Sequence, residues 1–364
     1  MTNTFPMPNQ RAIAEALGLN QTTVSLALRG HPRIPEATRE RVRQEAERLG
    51  YRSNAYVSAL MQHIRSGRPL QDKGCIAIII DAESEKDWLV HEVYRRQYQS
   101  MTARAERLGF HAECFYLRQT GMSDQKVNRI LSARGIEGMI LAAPRRLRDE
   151  TPCFDWSRFA CVANGFSWQQ AKVDVVANHH LRNVEIVWDE LHRRGYRRIG
   201  MCLPQAAASG GNSYWLHAYL GRQHLHPSAA AIPLMAGNPD EAPYARFKKW
   251  YEKWRPEAII CPAGHEMIWF RRMGLRIPQD LAVACLASVP GEPYSGVVED
   301  SDLLGATLVE LVAGKIFCNE FGLPAHPKVT LIAGRWIDGD TVPPVNPGRQ
   351  ESPTRSRRFS PQGG

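Results

Sequence analysis

The chain has 364 residues, 43% of them hydrophobic and 23% charged. That is ordinary composition for a soluble globular protein, with room for two or three domains. Apolar runs such as the six residues from Cys75 to Ile80 are far short of the ~20 a membrane helix needs. No charged-then-apolar leader opens the sequence, and the eight cysteines are scattered without a C-x-x-C pair. The expectation is therefore a cytoplasmic protein with reduced thiols, no membrane contact, no structural metal and no cofactor. Of the formal charge of +9, residues 1–70 supply +5 (ten Arg against five Glu) and residues 344–364 supply +3, which leaves +1 for the 273 residues between. A basic head on a near-neutral body points to a polyanion-binding module joined to something else. Charge alone leaves a solvated helix face as the alternative.

Residues 9–17 predict a short helix, with Asn9 as its cap and Ile13, Ala14 and Leu17 on its apolar side. Gly18 ends it, because glycine reaches positive φ without steric cost. Asn20 caps a second helix, QTTVSLAL, in which Val24 and Leu28 face inward. Gln21, Thr22, Ser25 and Leu26 are left facing outward. Gly30 closes this helix. Pro35 suits the first turn of a third, which runs to Leu49 with Val42, Ala46 and Leu49 packing on the first two. Helix, Gly-containing turn and polar-faced helix make a helix-turn-helix pattern. A weaker helical stretch spans 53–64, followed by a polar linker.

Residues 9–62 resemble the DNA-binding headpiece and hinge of the lactose-repressor (LacI/GalR) family of bacterial transcription regulators. The matching pieces are IAEALGLNQTTVSLALRG, TRERV, LGYRSN and NAYVSAL, in that order. The resemblance implies that Gln21, Thr22 and Leu26 read bases and that Asn20, Thr23 and Ser25 touch phosphates. It places Arg29, Tyr51 and Asn54 at the DNA as well, and makes Leu60 the hinge side chain that wedges into the minor groove. The chemistry fits. Gln bonds an adenine edge twice, and Thr offers thymine both a hydroxyl and a methyl. An apolar wedge unstacks a base step. Leu26 stands where many relatives carry Arg, so a guanine contact is exchanged for an apolar one. Ser53 and Val57 also depart from the pattern around the hinge.

From 74 onward the patterns of strand and helix alternate. Strands are expected at 75–81, 110–116, 136–144, 159–165, 173–178, 198–204, 229–236, 257–264 and 281–288. Helices are expected at 91–109, 123–134, 179–195, 213–224 and 240–254, with a short one after 264. Repeated βα units imply parallel sheets covered on both faces, with ligands beyond the strand C-termini. This stretch resembles the type I periplasmic-binding-protein-like core of the same family, through RRGYRRIGMCLP, RPEAIICPAG, GLRIPQDLAVACLAS and GRWIDGDTV. The implied fold is a small all-α helix-turn-helix headpiece followed by an α/β body of two Rossmann-like lobes joined by three crossovers. The expected organisation is headpiece 1–52, hinge and linker 53–73, body 74–343 and a disordered basic tail 344–364.

Candidate effector contacts are Asp81, Trp88, Arg145, Arg146, Asn164, Trp215, His265, Ser288 and Glu299. Relatives that respond to sugars usually carry Asn-Asp where Pro262-Ala263 stands and Asp-Asp at Ala287-Ser288. They also carry an Arg that ASGGNSYWLHAY lacks. A simple monosaccharide is thereby disfavoured; an oligosaccharide, sugar acid or sugar phosphate suits the aromatic and basic remainder. The function implied is a repressor of carbohydrate-related genes, a homodimer on a pseudo-palindromic duplex. The alternative is a solute-binding module with no role on DNA. An enzyme is not expected, since P-loop, G-x-S-x-G, H-E-x-x-H and G-x-G-x-x-G are all missing. His217, His224 and His226 do not make a metal set without nearby Cys or carboxylates.

Overall fold

The computed structural model describes residues 10–28, 34–49, 74–144, 152–168, 171–203, 213–226, 231–235, 242–264 and 266–345. The chain divides into two compact units, Met1–Asp72 and Lys73–Gly364. The expected hinge at 53–73, the Asn9 cap and the tail beyond 345 lie outside the described residues.

In the first unit α1 (Gln10–Leu17), α2 (Gln21–Leu28) and α3 (Glu36–Arg48) close on one small core. Ile13, Val24 and Val42 are fully buried there, with Ala14, Ala27 and Ala46 around them. The turn after α1 passes through Gly18 at φ +65, and Leu19 N–H returns to the Ala14 carbonyl at 2.9 Å. Asn20 caps α2, its Oδ1 accepting from Thr23 N–H at 2.7 Å. Pro35 takes the cap position of α3 instead of its first turn.

The second unit holds two sheets. The first has six strands, all parallel: β1 (Gly74–Ile80), β2 (Phe110–Tyr116), β3 (Gly138–Leu141), β4 (Ala160–Asn164), β5 (Asp174–Asn178) and β10 (Val329–Ile332). Their order is β10-β5-β4-β3-β1-β2. The second has β6 (Ile199–Met201), β7 (Ala258–Cys261), β8 (Ala282–Cys285), β9 (Ser295–Val298) and β11 (Arg335–Ile337), in the order β11-β9-β8-β7-β6. Only its edge strand β11 runs antiparallel.

Side chains alternate across each sheet into two cores, as the period of two requires. Ile76, Ile78 and Ile80 pack on one face of the first sheet. They lie beneath α5 (Glu92–Arg107) and α11 (Ser301–Cys318), which supply Met101, Ala105, Leu308 and Val312 to that core. Ala77 and Ile79 pack on the other, with Val127 and Leu131 of α6 (Asp124–Ala133). In the second sheet Ala258, Ile260 and Ala284 meet α7 (His180–Arg193) and α8 (Ser213–Leu225). Ile259, Cys261, Val283 and Cys285 meet α9 (Pro243–Trp254) and α10 (Met267–Arg272).

The chain passes between the lobes three times: after β5, after β9 and after β10. Two local expectations differ. Residues 231–235 form no strand; Pro233 has no N–H to give a ladder, and only Met235 N–H reaches the Met201 carbonyl, at 3.3 Å. The loop expected after β1 contains a one-turn helix, α4 (Glu85–Trp88), capped by Ser84 Oγ on Asp87 N–H.

Candidate nucleic-acid interface and inter-lobe site

On α2, Gln21 and Thr22 are exposed, and so is Asn20 just before it; Thr23 and Leu26 are half-buried. These five keep side-chain atoms available to a partner, although the Asn20 oxygen is committed to its cap. Ser25 corrects the sequence reading, because it is buried rather than outward. It lies 60° around the helix from Leu28, on the flank of the apolar face, and its small side chain is covered there. Arg29, Tyr51, Asn54 and Leu60 lie outside the described residues.

The body gathers some of its expected ligand contacts and scatters others. Glu299 follows β9 at the second crossover. Its Oε2 accepts from Asn178 Nδ2 at 2.7 Å and its Oε1 from Asn183 Nδ2 at 3.1 Å. Asn178 ends β5 and Asn183 sits on α7, so the carboxylate binds both sides of the first crossover. Asn183 Oδ1 accepts from Gly334 N–H at 3.1 Å, on the third crossover. A Cβ at Gly334 would come within 2.9 Å of that oxygen, so the close approach requires glycine. His180 Nδ1 stands 3.5 Å from Glu299, and its ring meets Trp215 edge-on at 5.0 Å. Across the lobes, the Phe166 ring, beyond β4, contacts Tyr214 of α8 at 5.2 Å.

The other expected contacts are engaged within single lobes. Asp81 holds Arg118 through two bonds of 2.8 and 2.9 Å. Asn164 donates to Gln97 Oε1 at 2.9 Å, both residues being buried. Trp88 is no exposed platform for a ligand: it is 2% exposed, stacked on Tyr94 and edge-on to Tyr98. The turn of α4 carries it back into the lobe core. Trp215 is likewise buried in the core of the second lobe. Arg145, Arg146 and His265 lie outside the described residues.

Sequence reasoning missed Asn178, Asn183 and Gly334, and with them Phe166 and Tyr214. The signal for Asn178 was its place at a strand C-terminus. His179, at the start of the helix expected over 179–195, caps α7 through Nδ1 on Arg182 N–H. Around Glu299, three buried polar atoms make no hydrogen bond: Asn178 Oδ1, His180 Nδ1 and Trp215 Nε1. Leaving such a group unpaired costs about 1–3 kcal/mol, so this region is suited to a ligand that supplies both donors and acceptors.

Helix-turn-helix unit and two-lobed body together define a class that comparison with known proteins identifies. Residues 11–54 match the model of bacterial regulatory proteins of the lacI family, and residues 188–342 match a periplasmic binding protein-like domain. The headpiece is thus similar to that of lacI-family regulatory proteins, and much of the body to a periplasmic binding protein-like domain. It is 27% identical over 200 residues to the maltose regulon regulatory protein MalI of Escherichia coli (strain K12), a match covering 51% of each chain. It is 50% identical over 46 residues to the HTH-type transcriptional regulator AglR of Rhizobium meliloti (strain 1021), 13% of each chain. The chain thus spans about half the length of the first of these relatives and far less of the second. The lac repressor dimer bound to operator superposes with a TM-score of 0.56 at 17% identity, covering 93% of this chain and all of that one. The transcriptional regulator CelR in complex with cellobiose gives the same score and identity, covering 92% and 99%. At that identity the likeness is one of fold.

Proposed function

We propose that this protein is a sequence-specific DNA-binding transcription regulator, a repressor of carbohydrate-related genes. It occupies a pseudo-palindromic operator in the cytoplasm as a homodimer, without catalysis or a cofactor. The observation that carries this reading is α2: one side is sealed in the headpiece core, while Gln21 and Thr22 stand exposed beside Asn20 at its start. Gln21, Thr22 and Leu26 face base edges in this account, and Asn20 and Thr23 face phosphates. Arg29, Tyr51, Asn54 and the Leu60 wedge complete the contact set by resemblance to the family.

The body tunes operator affinity through a ligand held between its lobes. The unpartnered polar atoms around Glu299 and Trp215 support this. The names of relatives point to sugars: one regulates the maltose regulon and another was solved with cellobiose. With Pro262-Ala263 and Ala287-Ser288 in place of the usual carboxylate and amide groups, an oligosaccharide suits the site better than a free monosaccharide. Selection from random duplexes tests the reading. Enrichment of an inverted repeat supports it. No enriched sequence, together with tight sugar binding, makes the protein a solute-binding module.

A further inference from the structure

The two lobes meet at a pair of rings to which the function above gives no role. Phe166 lies just past the end of β4, and Tyr214 stands in the first turn of α8. Their ring centroids are 5.2 Å apart and the planes are tilted by 57°, inside the ~4.5–7 Å over which aromatic pairs attract. Among the described residues this is the one aromatic contact between the lobes.

Each ring is mounted on a fixed part of its own lobe. In the first lobe the chain turns at Gly165, φ +72, whose N–H bonds the Val176 carbonyl at 2.8 Å. Beyond Phe166, the buried Trp168 bonds the Ala142 carbonyl through Nε1–H at 2.7 Å. Phe166 is therefore pinned on both sides, and its loop cannot swing without breaking a buried hydrogen bond. In the second lobe Trp215 and Ala218 are buried in the core and hold the start of α8 in place. His217 meets the Tyr214 ring edge-on at 6.4 Å. Neither ring of the pair is sealed: Phe166 is half-buried and Tyr214 is 40% exposed. Two rings on rigid supports separate only if the lobes themselves move. The Glu299 cluster lies on the crossovers, at the pivot. β4 is one strand in from β5, so the ring contact sits off the pivot, where it opposes opening.

We propose that Phe166 and Tyr214 form a latch that holds the lobes closed in the ligand-free protein, so that a ligand enters between them only after the rings part. This rests on the reading that the body takes its ligand between the lobes. A ligand that wedges the rings apart keeps the lobes open; one that leaves them in contact does not.

The test reads the lobe angle with no ligand present, so its outcome is independent of whether a sugar binds. One nitroxide is attached to Cys153, exposed in the first lobe, and one to Lys249→Cys, exposed on α9 of the second, in a full chain carrying Cys318→Ser. Dilution with unlabelled chain restricts pulsed electron–electron resonance to distances within one chain. The expected result is a single narrow distance in this background. Changing Phe166 or Tyr214 to Ala should raise the ratio of a second, open population about tenfold or more, the worth of a ring contact with its buried area. Tyr214→Phe keeps the ring and should keep the single distance. Thermal unfolding of each variant shows that the lobes remain folded. A broad distribution before either ring is removed, an unchanged distribution in both alanine variants, or equal opening in Tyr214→Phe and Tyr214→Ala would overturn the proposal.

Discussion

Glu299 accepts a 2.7 Å hydrogen bond from Asn178, and through it the second crossover of the body is fastened to the end of β5 on the first. The same carboxylate takes Asn183, which in turn holds Gly334 of the third. One side chain thus ties together the three strands of chain on which the lobes would pivot. A hinge of this kind has few ways to move without breaking a charge-assisted bond.

Glu299→Gln tests this directly. The substitution keeps the shape but turns one accepting oxygen into an amide that faces another amide. Unfolding of the body should become easier by about 1–3 kcal/mol, read as a lower denaturation midpoint. Unchanged stability would show that the asparagines find other partners at no cost.

The headpiece should depend on its second helix cap. Asn20→Ala removes the acceptor of Thr23 N–H and is expected to cost the headpiece about 0.5–2 kcal/mol. Hydrogen exchange over α1 to α3 measures it without interference from the body. Protection equal to wild type would count against the cap.

Leu26 stands half-buried at the exposed side of α2. Leu26→Arg should shift base preference toward guanine at one position in each half-site, by about 1–3 kcal/mol. Selected sites from the two proteins would be compared, and identical motifs would remove Leu26 from the reading surface.

Thiol chemistry should follow burial. Cys153 and Cys318 are exposed, whereas Cys161, Cys202, Cys261 and Cys285 are buried. Burial pushes the Cys75 and Cys114 thiols up to about 11, so at neutral pH almost none is thiolate. A disulfide reagent should modify Cys153 and Cys318 at least ~10-fold faster than the rest of this set. Rapid loss of Cys75 or Cys114 would show that the first lobe opens readily.

Much of this was legible in the residues. The unbroken apolar run from Cys75 to Ile80 marked β1 as a buried strand, and the Gly18 turn with Asn20 behind it marked the helix-turn-helix, because both are local signals. Ser25 and Trp88 were misread because each depends on what covers it in space. Trp88 follows a strand, which suggested a place beside the ligand. The Ser84-x-x-Asp87 pattern would have revealed the helical turn that folds it inward. The Glu299 cluster joins residues more than a hundred positions apart, so no local pattern announces it. The missing strand at 231–235 was readable after all, since Pro233 cannot donate to a sheet.

The central claim is that α2 reads DNA as part of a regulator, and it is tested most directly by equilibrium binding to the selected duplex across a salt series. The account predicts tight binding that falls about a thousandfold or more between about 50 and 200 mM salt, with preference over a scrambled duplex lost when Gln21 and Thr22 are both changed to Ala. Binding that ignores salt, or equal affinity for selected and scrambled duplexes in the wild-type protein, would contradict it.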